Sequence, residues 1–219
     1  MLRLNYQALR ARAEPIRMLL RYGGIAYEDR IFSMKEWPTV KKDKKIAPFG
    51  QLPSLELPNG ETIAETGAIV RLVAKLANVY PTDVYEAARA DMLFELVMDL
   101  NTINPILNWF PADSEKWKTA YDSYFGSLPY HLENLKEILG EKQFFGGNRP
   151  HHGDFGIFHI LLNSRAVKPD VLNNYPNLQQ YIERMQQLPA INDYLATRPG
   201  DSEVGMDGSF VRTRLPTKK

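Results

Sequence analysis

The first eighty residues switch between stretches with strand-like alternation and stretches with helical spacing of apolar positions. The pattern predicts, in chain order, a strand at 3–6, a helix at 14–22, a strand at 27–32, a helix at 35–45, strands around Leu55 and Ile63, and a helix at 66–78. Pro15 suits the first turn of the first helix, and Gly23 and Gly24 end that helix. The predicted order is therefore strand, helix, strand, helix, strand, strand, helix.

After residue 80 the strand pattern disappears and only helical spacing remains. The helices are predicted at 84–110, with a kink at Pro105, and at 115–139, 154–166, 177–188 and 190–197. The fold class is therefore α/β plus all-α: an N-terminal thioredoxin-like β-α-β-α-β-β-α domain followed by an all-helical C-terminal domain. The expected boundaries are 1–78, a linker at 79–85, a helical domain at 86–199 and a basic tail at 200–219. That tail is either a frayed end or a lid over a neighbouring pocket, with Phe210 and Val211 as its apolar plug.

Composition narrows the class of protein. The chain has 219 residues, of which 44% are hydrophobic and 24% charged, as in globular proteins. No run approaches the roughly 20 apolar residues that span a bilayer, so we expect a cytoplasmic protein without a membrane partner. Residues 1–80 carry 13 Lys and Arg against 8 Asp and Glu, too small an excess for nucleic acid. Cysteine is absent, so any thiol chemistry needs sulfur from a substrate.

The segment 49–69 carries the most chemical information. Pro53 directly precedes a strand and pushes Leu52 into extended geometry, so the Leu52 backbone can pair with something other than a strand. Glu65 and Thr66 place a carboxylate and a hydroxyl at a helix N-terminus, where free N–H groups and the helix dipole attract a ligand carboxylate. These features indicate a dock for a small peptide that bears an ammonium group and carboxylates.

The whole arrangement resembles the cytosolic glutathione S-transferases, in particular the tyrosine-using branch near the sigma, pi and mu classes, over residues 1 to about 199. The motifs that carry the resemblance are Tyr6 at a strand end, Arg10-Ala11-Arg12-Ala13-Glu14, Trp37 with Lys41, Gln51-Leu52-Pro53 and Glu65-Thr66. It implies a glutathione S-transferase that conjugates glutathione to small electrophilic apolar substrates. It also implies a homodimer, glutathione as co-substrate, and no further cofactor or metal.

Two residues are implied to be catalytic. The Tyr6 hydroxyl would donate a hydrogen bond to the glutathione sulfur and favour thiolate over thiol. The alternative is an ordinary strand-end tyrosine with a packed ring and a hydrated oxygen. Arg12 matches an arginine that lies near the sulfur in related enzymes; alternatively, it pairs with Glu14 or another carboxylate at the helix entry.

The resemblance also implies a set of glutathione-binding residues. Trp37 and Lys41 lie four apart and would reach the glycine carboxylate, although Lys41 alternatively belongs to a run of solvated charges. Leu52 would pair through its backbone with the cysteinyl unit, which leads us to expect a cis Leu52–Pro53 bond. The γ-glutamyl end would be held by Gln51, Glu65 and Thr66. The tyrosine-using classes usually carry Gln at the position of Glu65.

The helical part contributes further expected positions. Asp99 matches an aspartate that reaches across a dimer interface to the glutamyl ammonium; alternatively, it is a solvated helix acid. Phe49 matches a position where some classes insert an aromatic residue into the partner, and its role stays open. The electrophile is expected between the domains, against apolar side chains drawn from Ala8, Leu9, Leu107 and Trp109.

Several alternatives and departures remain. The family's helix cap Ser/Thr-x-Ala-Asp is replaced by His151-His152-Gly153-Asp154, and we expect the two histidines at the surface rather than in a metal site. The same active site could instead run a glutathione-dependent isomerisation, as in prostaglandin D synthases. A non-catalytic ligand-binding or crystallin-like relative is a second alternative. A thiol–disulfide reductase is disfavoured because cysteine is absent.

Overall fold

The computed structural model describes residues 1–112 and 114–198. The N-terminal part is built on a four-stranded sheet whose strands lie in the order β2-β1-β3-β4. The strands are β1 (Leu2–Gln7), β2 (Tyr27–Phe32), β3 (Ser54–Glu56) and β4 (Thr62–Ala64). β1 and β2 are parallel, whereas β3 runs antiparallel to both β1 and β4. This confirms the predicted thioredoxin-like sheet.

Helices flank the sheet and, with the turns and loops between them, form the rest of the described chain. They are α1 (Glu14–Tyr22), α2 (Trp37–Val40), α3 (Thr66–Leu76), α4 (Val84–Leu100), α5 (Asn104–Asn108), α6 (Glu115–Leu139), α7 (His152–Val167), α8 (Pro176–Gln187) and α9 (Pro189–Thr197). The described residues after α3 form no strand, as the helical periodicity predicts. None of the helices among the described residues is long and apolar enough to cross a membrane.

α1 lies at the centre of the packing. All of its residues from Glu14 to Leu20 are buried because α1 packs against α3, α7 and α9. Two of those buried residues are charged, and each has a partner. Arg17 pairs with Glu14 and with Asp29 of β2, and Glu14 also pairs with Arg198 at the end of α9. A buried ion network therefore connects the sheet, α1 and the end of α9.

α4 and α7 pack closely because glycines lie where the two helices approach each other. A Cβ atom added at Gly156 would lie 2.8 Å from a methyl group of Val97, and one at Gly153 would lie 2.8 Å from the Ala90 carbonyl oxygen. Contacts this short require one helix to move. The two glycines therefore set the distance between α4 and α7.

The second helix is much shorter than the predicted 35–45. α2 ends at Val40, and the chain continues in turns, with Asp43 N–H donating to the Val40 carbonyl and Ala47 N–H to the Asp43 carbonyl. The run 41–45 is exposed and has no apolar stripe to bury, so packing does not extend the helix through it. The prediction of a helix through Lys45 is wrong.

The segment predicted as one helix at 84–110 forms three separate helical elements. α4 ends at Leu100, a short 3-10 turn follows at Asn101–Ile103, and α5 begins at Asn104. Pro105 lies in the first turn of α5, where its missing N–H costs no helical hydrogen bond. The proline therefore starts a helix rather than kinking one, and the break brings residues 101–105 to the candidate site.

The remaining predicted helices agree with the structure to within about two residues, the usual uncertainty of helix ends. The division into 1–78, a linker at 79–85 and a helical domain at 86–199 stays a prediction. The tail at 200–219, with Phe210 and Val211, lies outside the described residues.

Candidate active site

A cavity of about 500 Å³ lies between the carboxyl end of β1 and the break that separates α4 from α5. Its sheet-side wall consists of Tyr6, Gln7, Leu9, Ala11, Arg12, Trp37, Gln51 and Leu52. Its helical wall consists of Met98, Asn101, Thr102, Asn104, Pro105 and Trp109. The two parts of the chain that the sequence pattern separates thus meet at this cavity.

Tyr6 stands at the end of β1 with its ring buried, at 6% exposure. The backbone N–H of Arg12 donates a hydrogen bond to the Tyr6 hydroxyl, and the Arg17 guanidinium lies 5.9 Å from the centre of the ring. Burial raises the pKa of Tyr6 because it disfavours the phenolate, and this outweighs the opposite effect of the two arginines. Tyr6 is therefore a neutral phenol at neutral pH, and its O–H proton is available to an acceptor.

Arg17 fixes the loop that carries the Arg12 N–H. Arg17 Nη1 donates to the Leu9 carbonyl oxygen over 2.8 Å, and Ala11 adopts a positive φ of 31°. The Arg12 side chain is exposed and lines the cavity. Glu14 pairs with Arg17 and Arg198. The described contacts therefore do not support the alternative in which Arg12 serves as the partner of Glu14.

A smaller recess continues from the cavity past Gln51 and Leu52. It is lined by Arg12, Phe49, Gln51, Leu52, Pro53, Ala64, Glu65 and Thr66. The Leu52–Pro53 peptide bond is cis, as the sequence predicts. Glu65 has φ 69° and ψ 121° directly before α3, a conformation that residues other than glycine rarely adopt. Such outliers are concentrated at ligand-binding sites.

Some of the residues predicted for the site lie outside both the cavity and the recess. Lys41 and Asp99 are exposed, and neither lines the cavity or the recess. Leu107 does not line them either: it is 3% exposed within the hydrophobic core. The new helix that starts at Asn104 changes the register after Pro105, so Leu107 turns inward while Trp109 reaches the cavity. Ala8 lines a different cavity.

The helical wall is more polar than expected. Asn104 Nδ2 donates to Asn101 Oδ1 over 3.0 Å, and Asn101 Nδ2 lies 3.6 Å from Met98 Sδ. Asn104 Oδ1 is buried and has no hydrogen-bond partner among the described residues. These positions were not among those predicted from the sequence, although the polar residues before Pro105 are a signal for them. The amides give the cavity polar groups opposite Tyr6.

The two adjacent histidines are buried, which corrects the expectation that they lie at the surface. His151 is 6% exposed and His152 is fully buried. His152 Nε2 lies 2.9 Å from Asp91 Oδ1, and its ring stacks on Tyr80 with centroids 5.1 Å apart. Asp154 accepts hydrogen bonds from the backbone N–H groups of His151, Phe145 and Gly146. This cluster holds helices together, away from the cavity.

Over residues 1–112 and 114–198, no group of three or more His, Cys, Asp or Glu side chains is arranged to hold a metal ion.

Two family models match the chain. The glutathione S-transferase N-terminal domain model matches residues 11–76, and the glutathione S-transferase C-terminal domain model matches residues 100–198. The matched ranges contain most of the residues that line the cavity.

Individual proteins are also similar along nearly the whole chain. Hematopoietic prostaglandin D synthase of Rattus norvegicus is 30% identical over 198 residues, 90% of this chain and 96% of the relative. Glutathione S-transferase Mu 2 of Mus musculus is 29% identical over 199 residues, 88% of this chain and 89% of the relative. The solved structure of rat hPGDS complexed with a quinoline is similar with a TM-score of 0.82 and 28% identity, covering 91% of this chain and 98% of that one.

Proposed function

This chain belongs to the glutathione S-transferase family, and on that premise we propose that Tyr6 activates the thiol of glutathione for conjugation to small electrophilic apolar substrates. One observation carries the proposal. Tyr6 is a buried, neutral phenol whose oxygen already accepts the Arg12 backbone N–H, so its own proton is left for a ligand. A hydrogen bond from a phenol to sulfur stabilises the thiolate more than the thiol.

The proposed stabilisation of the thiolate can be expressed as a free energy. A fall of about 2 units in the thiol pKa corresponds to roughly 3 kcal/mol of differential stabilisation of the thiolate. A single charge-assisted hydrogen bond contributes about 1.5–3 kcal/mol, so Tyr6 can account for most of the effect. The exposed Arg12 guanidinium would supply the remainder as a nearby positive charge.

Glutathione is proposed to extend from the cavity into the recess. The Leu52 backbone pairs with the cysteinyl unit as an added strand would, and Leu52 lines both the cavity and the recess. The γ-glutamyl group lies in the recess, against Gln51, Glu65 and Thr66. Trp37, which lines the cavity, takes the glycine carboxylate. Lys41 joins it by extending its exposed side chain.

The second substrate is proposed to lie over the sulfur, between Leu9 and Trp109. The thiol proton leaves to water and the thiolate attacks the electrophilic carbon. A carbon–sulfur bond forms as the bond from that carbon to its leaving group breaks, and the leaving group departs with the bonding electrons. Catalysis then comes from activating and positioning the nucleophile, with no covalent bond to the protein. Thr102 and the Asn101 amide add hydrogen-bonding groups beside this path.

The deciding experiment is an ultraviolet titration of the thiolate of glutathione bound to the purified protein, for the wild type and for Tyr6→Phe. We expect a thiol pKa about 2 units below that of free glutathione in the wild type, and its return toward the free value in Tyr6→Phe. Tyr130→Phe is the matched control, because Tyr130 is 71% exposed and lines neither the cavity nor the recess. Binding should change by no more than about threefold in either variant, since the lost contact favours the thiolate over the thiol.

Two results would overturn the proposal. Bound glutathione with an unshifted thiol pKa would mean that the fold serves binding or a structural role, the non-catalytic alternative. A shifted pKa that survives Tyr6→Phe would remove Tyr6 from the mechanism and leave the activation to another group.

A glutathione-dependent isomerase is the second candidate, and the polar helical wall is the observation that favours it. Asn101, Thr102 and Asn104 line the side of the cavity that faces Tyr6. These groups suit an oxygen-rich substrate better than a purely apolar one. The likeness to hematopoietic prostaglandin D synthase points the same way. A product assay separates the two: isomerisation regenerates free glutathione, whereas conjugation consumes it.

We further propose a cytoplasmic homodimer, with glutathione and a small electrophile as its ligands. Phe49 supports the dimer because it is 69% exposed at the rim of the recess, where an apolar ring in a monomer would face water. Asp99 is exposed on α4 and is available to a second subunit. Neither a membrane nor a nucleic acid is proposed as a partner.

A further inference from the structure

Arg198, the residue that follows α9, lies far along the chain from the candidate active site but reaches a buried acid of α1. Its Nη1 donates to Oε1 of Glu14, a residue 184 positions earlier. The Glu14 side chain is 1% exposed and the Arg198 side chain is 15% exposed. Neither side chain is among the described residues that line the candidate active site, so the glutathione chemistry proposed above does not use this ion pair.

The Glu14 carboxylate lies between two guanidinium groups. Its Oε1 accepts from Arg198, and its Oε2 lies 3.5 Å from Arg17 Nη1. Burial alone would raise the pKa of Glu14, but the surrounding positive charges, with Arg17 foremost and Arg198 among them, outweigh burial and lower this pKa. Glu14 is therefore a buried carboxylate at neutral pH. Removing one partner of such a charge leaves it uncompensated, and it then attracts the remaining partner more strongly.

Arg17 also holds the chain beside Tyr6. Its Nη1 donates to the Leu9 carbonyl oxygen over 2.8 Å, while its Nε and Nη2 donate to the Asp29 carboxylate over 2.6 and 3.3 Å. The nitrogen that binds the Leu9 carbonyl is therefore the same one that faces Glu14. A movement of this nitrogen toward Glu14 would lengthen its bond to Leu9.

Leu9 belongs to the segment 8–12, which follows β1 directly and orients Tyr6. The Arg12 N–H in this segment donates to the Tyr6 hydroxyl, and Leu9 lines the candidate active site. Burial raises the pKa of Tyr6, and the Arg17 guanidinium, 5.9 Å from the centre of the ring, opposes that effect. The position of Arg17 thus affects both the segment 8–12 and the electrostatic environment of the phenol.

We propose that Arg198 is a positioning residue for the candidate active site, acting through Glu14 and Arg17 on the segment 8–12. Arg198 compensates the charge of Glu14, so that Arg17 stays on the Leu9 carbonyl. Without Arg198, the buried carboxylate draws Arg17 toward itself, the Leu9 carbonyl is released, and the Arg12 N–H no longer holds the Tyr6 hydroxyl in place. The effect on glutathione rests on the function proposed above, whereas the effect on the segment 8–12 does not.

The test compares the wild type, Arg198→Gln and the double variant Arg198→Gln with Glu14→Gln in two measurements. Amide hydrogen exchange of the ligand-free protein reports on the segment 8–12, and the ultraviolet titration reports the thiol pKa of bound glutathione. Arg198→Gln should quicken exchange in this segment at least about tenfold and raise the thiol pKa by about 1 unit. The double variant should return both toward the wild type, because no charged carboxylate then competes for Arg17. A merely structural network would instead lose more in the double variant than in either single one.

Two further variants serve as controls. Arg198→Lys keeps the positive charge and should restore most of the wild-type behaviour. Arg89→Gln is the matched control, because Arg89 pairs with Glu86 on an exposed turn of α4, and it should change neither measurement. Circular dichroism melts establish which variants are folded. If Arg198→Gln alone does not fold, the double variant still decides, because its exchange in the segment 8–12 must match the wild type within about threefold.

The proposal is overturned if folded Arg198→Gln leaves exchange in the segment 8–12 unchanged, or if the double variant exchanges faster than Arg198→Gln. Quickened exchange with an unaltered, low thiol pKa would overturn the role of Arg198 in activation. Quickened exchange in Arg198→Gln together with an unshifted thiol pKa in the wild type would contradict the proposed function but support the positioning of the segment.

Discussion

At the scale of single residues, the chemistry depends on which atom of a residue faces the reacting group. Arg12 contributes its backbone N–H to the Tyr6 hydroxyl, while its charged side chain lies exposed at the cavity. Arg17 acts from the opposite side, holding the Leu9 carbonyl and lying over the Tyr6 ring. The orientation of Tyr6 is therefore set mainly by backbone and buried contacts, and the surface charge of Arg12 is a separate contribution.

These two contributions of Arg12 can be separated. Arg12→Ala keeps the backbone N–H, so the pKa of bound glutathione should rise by about 1 unit or less, whereas Tyr6→Phe should raise it by about 2 units. Arg12→Lys should stay close to the wild type because it keeps a positive charge. The ultraviolet titration of the bound thiol measures all three. An effect of Arg12→Ala as large as that of Tyr6→Phe would contradict this division, because the guanidinium would then contribute as much to activation as the phenol.

At the scale of elements, the start of α7 depends on one buried carboxylate. Asp154 is fully buried and accepts the backbone N–H groups of Phe145, Gly146 and His151 over 2.8, 3.2 and 2.9 Å. Its own carbonyl oxygen accepts the Tyr181 hydroxyl of α8. Asp154 thus joins the turn before α7 to the helix itself and, through its carbonyl, to α8.

Asp154→Ala should destabilise the protein severely. It leaves three backbone N–H groups without an acceptor, each at a cost of about 1–3 kcal/mol, so we expect a loss of at least about 3 kcal/mol. Asp154→Asn should cost less because the amide oxygen still accepts. The free energy of unfolding in urea measures the loss. Equal stability of Asp154→Ala and wild type would show that water replaces the carboxylate.

Two residues at the start of α7 make opposite contributions to the pH dependence of the free energy of unfolding. Burial lowers the pKa of His151 from 6.5 to about 4, so its contribution to stability is lost as pH falls from 6.5 toward 4. Burial raises the pKa of Asp154 from 3.8 to about 7, so the folded state gains stability as pH falls from 7 toward 4. Over pH 4 to 6.5 the two contributions oppose each other. The free energy of unfolding of the wild type should therefore depend little on pH through His151 and Asp154.

Asp154→Asn should reveal the contribution of the histidine. Without the titrating carboxylate, stability should fall with decreasing pH below 6.5 by up to about 1.4 kcal/mol per pH unit. Urea melts at pH 7 and pH 5 measure the difference. The double variant Asp154→Asn with His151→Gln is the control and should lose most of the dependence. A pH profile parallel to that of the wild type would contradict the assignment.

At the scale of the whole molecule, one aspartate joins the two parts of the chain. Asp91 on α4 accepts Arg71 Nε of α3 over 2.9 Å and the Tyr80 hydroxyl over 3.2 Å, and it contacts His152 Nε2 of α7 over 2.9 Å. Lys75 lies 5.0 Å from the centre of the Tyr80 ring. The candidate active site lies between the same two parts of the chain, so its shape depends on these contacts of Asp91.

Removing Asp91 should weaken the packing of α3 and α7 against α4. Asp91→Ala should lower the free energy of unfolding by about 2 kcal/mol, because it leaves the buried His152 without its partner. Amide hydrogen exchange should quicken in α3 and at the start of α7 and stay unchanged in α6. Asp122→Ala, an exposed acid on α6, is the control and should change neither. An unchanged exchange rate in α3 would show that apolar packing alone holds α3 in place.

The proposed dimer is tested at Asp99. If each site borrows this carboxylate from a second subunit, Asp99→Ala should weaken glutathione binding about fivefold or more while light scattering still reports a dimer. Glu86→Ala removes an exposed acid on the same helix that pairs with Arg89 within one turn, and is the control for a simple loss of charge. A monomer in light scattering, or unchanged glutathione affinity, would contradict the shared site.

Local sequence determined the features that depend on a few neighbouring residues. Tyr27–Phe32 forms the predicted second strand and Thr66 starts α3, because the alternation of apolar positions and the signals for a helix start act within a short window. The end of β1 at Tyr6 belongs to the same group of features, within one residue.

Only the tertiary structure decided which way side chains face and which distant groups meet. The Arg12 N–H meets Tyr6, the break after Leu100 brings Asn101 to the cavity, and the same break turns Leu107 into the core. His152 is buried because Asp91, 61 positions earlier in the chain, lies beside it. Such contacts depend on how helices far apart in the sequence pack, and no short window of the sequence specifies that packing.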